Sequence, residues 1–121
     1  MESILTSIKK LLGIEEEYEH FDPDIVMHIN TVLMDLTQIG VGPEEGFRIE
    51  DETTVWTDFI SDTIALEAIK SYVYLKVKLL FDPPTSSAVI ESTNRLLNEL
   101  VFRINLTAES LNKKEENQNG E

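Results

Sequence analysis

The sequence predicts an all-α fold: a small bundle of about four main helices, with a long C-terminal helix and one irregular loop near residues 41–53. Three observations carry this. Apolar residues recur at three- and four-residue spacing in four segments, and nothing alternates at period two for long. Glycine and proline fall between those segments rather than within them. The 121 residues, with no cysteine, are enough for one domain with one core and exclude disulfides and thiolate-bound metals. Residues 1–111 are expected to form that single helical domain and 112–121 a disordered polar tail.

Ser3 is placed to cap a short first helix reaching about Leu12, with Ile4, Leu5, Ile8, Leu11 and Leu12 as its stripe and Gly13 as its stop. Its burial is expected to be modest. Glu15-Glu16-Glu17-Tyr18-Glu19-His20 reads as a polar connector. Asp22 then offers an N-cap and Pro23 suits the first helical position, with Phe21 able to staple against Val26 or Met27. Ile25, Ile29, Val32, Leu33, Leu36 and Ile39 form the second helical stripe, which Gly40 ends.

Gly42, Pro43 and Gly46 punctuate the main loop, which leaves room for at most a very short extended piece, Phe47 to Glu50. A one- or two-turn helix is expected from Thr53 or Thr54, capped by a threonine hydroxyl and carrying Trp56 and Phe59. From about Asp62 to Phe81, apolar residues cover most of the helical circumference, the pattern of a central helix. Pro83 and Pro84 stop it. Ser86 or Ser87 then caps the last helix, with Val89, Ile90, Thr93, Leu96, Leu97, Leu100, Val101, Ile104 and Leu111 as its stripe. At ~1.5 Å per residue, positions 87–111 reach roughly 37 Å, enough to span the domain.

Charge is distributed unevenly. Residues 11–69 hold fifteen carboxylates against one cation, Arg48, whereas residues 70–121 hold equal numbers of each sign, and the whole chain carries −13. Such a surface repels phosphates, so specific nucleic-acid binding is disfavoured. The acidic face then serves solubility, docks a basic partner, or lines a passage to which DNA must not stick. The apolar runs fall far short of the ~20 residues of a membrane span, and Lys9 and Lys10 lie behind the first apolar residues, unlike a signal peptide. A soluble protein with no membrane partner is expected.

Chemistry-bearing patterns are weak. Glu17-x-x-His20 has the spacing of a di-iron bundle ligand pair, but the second such motif is missing, since Ile25 occupies the position that would pair with His28. Asp22-Pro23-Asp24 starts like a calcium loop, yet Val26 and Met27 replace the required ligand and glycine. No nucleophile elbow surrounds any serine, and Glu44 and Glu45 oppose a phosphate loop after Gly40-Val41-Gly42. Carboxylate neighbours such as Asp58 and Asp62 are expected by chance in so acidic a chain. The reading is no catalytic residue, no metal, no cofactor and no enzyme. Trp56 and Phe59 anchor the core or meet a partner, and Arg48 pairs within the chain or reaches a neighbouring subunit. With Phe47, these four are the candidate interface residues.

Several stretches resemble a known family. They are Phe21-Asp22-Pro23-Asp24, the helix end Leu36-Thr37-Gln38-Ile39-Gly40 followed by Val41-Gly42-Pro43, Trp56-Thr57-Asp58-Phe59-Ile60, Tyr72 to Pro84, and the helix from Ser87 to Arg103. Together they resemble the gp6-like head–tail connector family of tailed phages and prophages, also described as possible DNA-packaging proteins. The likeness covers most of residues 4–110. It implies an all-α structural subunit that forms a homo-oligomeric ring beneath the portal protein, helps retain packaged DNA, and offers a platform for a head-closure or tail component. DNA would pass through the ring without being specifically bound. The resemblance places the protein in the virion neck, and in the host cytoplasm during assembly. It carries over no catalytic residue. The alternative reading is a small acidic helical binding or regulatory module of DNA-mimic type, acting on a basic protein partner.

Overall fold

The computed structural model describes the backbone of residues 2–61 and 63–119, and the side chains of residues 2–61 and 65–106. Five helices follow one another: α1 (Ile4–Leu11), α2 (Asp22–Gln38), α3 (Trp56–Phe59), α4 (Thr63–Phe81) and α5 (Ser87–Asn119). Among the described residues there is no strand, and Ser3 and Val55 form one isolated antiparallel bridge. The expected polar tail over 112–121, like the side chain of Leu111 assigned to the last apolar stripe, lies outside the described side chains.

Helix α1 begins as its sequence dictates, with the Ser3 hydroxyl accepting from the Thr6 amide at 3.2 Å. Its burial is greater than expected: Ile4 and Ile8 have no exposed surface and Leu5 almost none. The reason is a partner far along the chain. The Ile4 amide donates to Thr54 O at 3.1 Å and the Trp56 amide to Glu2 O at 3.2 Å, so residues 54–56 cover the start of the helix. Leu11, expected on the stripe, is half exposed.

The cap of α2 differs from expectation. Phe21 is the N-cap residue and makes no side-chain cap, while Asp22, the first helical residue, turns its carboxylate to Lys9. Phe21 does not staple onto Met27, which is exposed; its ring meets Phe81 edge-on at 5.3 Å between centroids. At the other end, the Gly40 amide reaches Thr37 O and the Val41 amide reaches Leu36 O at 2.9 Å. This paired closure needs a left-handed residue, supplied by Gly40 at φ +90°.

Helix α4 is the centre of the bundle. It packs against α1, α2 and α5. Its Ala65, Ile69, Tyr72, Val73 and Val77 join Ile25, Ile29, Val32, Leu33 and Leu36 of α2 and Leu97, Leu100 and Ile104 of α5 in one core. The last helix starts where the Ser86 hydroxyl accepts from the Val89 amide at 3.4 Å. Its stripe is shorter than the periodicity suggests. No residue from 87 to 96 is buried, and Val89 and Leu96 are exposed.

Candidate functional site: an interface region around residues 41–60

The loop after α2 is held by side chains from two helices. Asn30 of α2 grips both backbone polar groups of Ile49: its carboxamide oxygen accepts from the Ile49 amide at 2.7 Å and its amino group donates to Ile49 O at 2.9 Å. Ile49 thereby reaches full burial without a strand partner, so the expected short extended piece is tied to a helix and not to a sheet. Nothing in the local pattern at Asn30 signals this, because its target lies 19 residues away.

The short helix α3 is capped by a carboxylate rather than by a threonine. Asp58 Oδ2 accepts from the Val55 amide at 3.0 Å, whereas Thr53 bonds to Asp51 through both its amide and its hydroxyl. Those two bonds hold the Asp51 carboxyl below its usual range, the hydroxyl bond contributing most.

Trp56 and Phe59 sit in the core, each 2% exposed. The Trp56 indole N–H donates to Ser7 Oγ at 2.8 Å, and the Ser7 hydroxyl donates in turn to Ile4 O at 3.0 Å. A buried indole needs such an acceptor. Phe59 lies over Gly42 and beside Phe47, with the two phenyl centroids 5.2 Å apart. Phe47 is half-buried and Arg48, next to it, is exposed. The four candidate interface residues are therefore brought into one region but divided by depth. Trp56 and Phe59 form its floor, and Phe47 and Arg48 its rim. Arg48 makes no ion pair with any carboxylate among the described residues.

The cation that is deeply paired is Lys9, which the sequence marks only as a lysine lying behind the first apolar residues. It is 2% exposed. Its ammonium donates to Glu16 O and Tyr18 O, both at 2.8 Å, and meets Asp22 Oδ1 at 2.9 Å. That carboxylate oxygen is buried and makes no other contact of hydrogen-bonding quality. One lysine thus folds the acidic connector 12–21 back onto α1. The available signal was its spacing, four residues after Leu5 on the buried side of α1.

Among the described residues, no three His, Asp or Glu side chains converge as a metal site. Glu17 and His20 lie outside any helix, so their spacing does not put them on one helical face. A recess involving Leu96, Glu99, Phe102 and Arg103 is lined by α5 alone, which makes it an outer helix surface and not a cleft. Tyr72 is perturbed, its phenol pushed above the ordinary value by burial and, next, by the Asp35 charge, but it lies in the core between helices. No helix among the described residues is long and apolar enough to cross a membrane.

What the surface does offer is docking area. Carboxylates of the 15–19 and 44–52 stretches are solvent-facing, and large apolar side chains stand exposed on α2 and α5. Against known proteins, residues 4–111 match the model of a family described as Phage connector protein. No curated protein and no solved structure matches.

Proposed function

Because this chain belongs to the phage connector protein family and so plays a structural part among the head and tail proteins at the virion neck, we propose that it is a head–tail adaptor subunit forming a homo-oligomeric ring under the portal. In this reading the ring completes the head, retains packaged DNA and receives a head-closure or tail component. The observation that carries it is the family match over residues 4–111, which takes in nearly the whole packed bundle. The acidic surface agrees with it, since DNA sliding past like charges finds no phosphate-binding site. A rigid bundle with exposed apolar flanks suits an adaptor, whose task is to hold neighbours in register. No cofactor is called for.

The test is co-assembly. Purified protein mixed with the portal protein of the same phage at low salt should give a capped portal visible by electron microscopy. Absence of any complex at micromolar concentrations would refute the adaptor role. The solvent-facing carboxylates favour a second reading, a DNA-mimicking module for a basic protein. Pull-down from host lysate of a nuclease or polymerase, with no portal binding, would select that reading.

A further inference from the structure

Residues 47–50 alternate in depth: Phe47 is half-buried, Arg48 exposed, Ile49 fully buried and Glu50 exposed. Arg48 thus stands outward between two fastened neighbours. On one side the Phe47 ring lies 5.2 Å from the Phe59 ring, and Phe59 belongs to the core. On the other, Asn30 takes both backbone polar groups of Ile49, at 2.7 and 2.9 Å. Five carboxylates lie within four residues of Arg48 along the chain, Glu44, Glu45, Glu50, Asp51 and Glu52, and all five residues are exposed. The guanidinium pairs with none of them. Asp51 accepts from Thr53 instead.

We propose that Arg48 is a preset anchor for a single carboxylate on a partner protein, and that Asn30 is the residue that positions it. A backbone fastened on both sides removes part of the ordering cost of docking, and a guanidinium offers a carboxylate two parallel donors. The charge around it selects a lone protein carboxylate over nucleic-acid phosphate. Duplex phosphates come one per ~1.7 Å and are held by several cations together, whereas residues 11–69 hold one cation among fifteen carboxylates. The neighbouring carboxylates oppose any further negative charge, so one anionic group is admitted at Arg48 and an anionic stretch is not. The half-buried Phe47 beside it adds apolar surface that displaces water from the contact. This assignment rests on the connector reading and names the chemistry by which the subunit holds a neighbour.

The test puts an amine at the same position. Arg48→Lys is treated with a carbodiimide, which joins an amine to a touching carboxylate as an amide and takes up the water as a urea. One sample contains the portal protein of the same phage; the other contains the chain alone, as an equal mixture of isotope-labelled and unlabelled copies. Mass spectrometry should find an intermolecular amide from position 48 to an Asp or Glu, on a portal peptide in the first sample or as a labelled–unlabelled pair in the second. Amides from position 48 only within one chain, or none, would overturn the assignment. Affinity separates the two roles. Arg48→Ala should weaken the complex on the order of tenfold at an unchanged melting temperature. Asn30→Asp, which keeps the acceptor for the Ile49 amide, should weaken it less and should add nothing in the Arg48→Ala background. An Arg48→Ala complex of parental affinity would remove the anchor, and additive losses would remove the positioning role of Asn30. A capped portal with no link at position 48 would leave the connector reading standing without this contact, whereas a labelled–unlabelled link with no capped portal would do the reverse.

Discussion

Lys9 shows how far one buried charge can determine a local path. Lys9→Ala removes the donor shared by two carbonyls and leaves Asp22 without its counter-ion. The cost should be about 2–3 kcal/mol, below the full cost of breaking a buried pair because Asp22 is partly solvated. Asp22→Asn, which keeps the two carbonyl bonds, should cost about 1 kcal/mol. Urea denaturation of both variants checks the order, and equal losses would mean the carbonyl contacts contribute nothing. Arg48 sits at the opposite extreme, exposed and unpaired within the described residues. If Arg48 bridges subunits, Arg48→Glu should leave the melting temperature nearly unchanged while weakening self-assembly; equal loss of both would place its partner inside the subunit. Tyr72 makes a pH prediction. Its pKa is raised in the fold, so the neutral phenol is the form the core accepts. That contribution is complete below the ordinary value of 10.0 and is lost as pH rises through the raised one. Tyr72→Phe should therefore give a shallower alkaline decline in the urea midpoint than the parent, and parallel declines would refute the assignment.

At the scale of elements, the loop 41–53 depends on contacts no local pattern encodes. Gly42 stands at φ +84°, and a Cβ there would collide with the Phe59 ring, whose Cζ would lie at 2.9 Å. Gly42→Ala should cost about 2–4 kcal/mol from backbone strain and overpacking together, read as a lowered thermal midpoint with the helical signal otherwise retained. A loss no larger than that of an exposed-loop substitution would show that Phe59 yields freely. The helices themselves were legible because each buries one periodic face: the α2 stripe and the nearly all-round α4 translate directly into burial. Ser3 and Gly40 act as read, since their tasks are local. Asp22 does not, because a carboxylate at a helix start can cap or can pair, and the choice is made by a lysine on another helix. Asn30 and Ser7 were missed for the same reason, their partners Ile49 and Trp56 being 19 and 49 residues away. For α5, periodicity continues through Val89 and Leu96, but the core does not, so spacing alone could not tell a buried stripe from an exposed one.

For the whole molecule, the net charge of −13 sets an electrostatic strain that packing has to overcome. Like charges gathered in residues 11–69 repel across the acidic half, and salt screens exposed pairs within about 10 Å at 0.1 M. Added sodium chloride should therefore raise the thermal midpoint from its low-salt value by several degrees, whereas the buried Lys9 contact is little screened. A midpoint that falls with salt would mean that surface ion pairs outweigh the repulsion. Trp56 has a separate use. It is the one tryptophan in the chain, and its ring nitrogen is fastened to Ser7 at the far end of the sequence. Its emission is thus an intrinsic optical gauge of whether the amino-terminal segment is seated, and a red shift on unseating would register that event without any added dye.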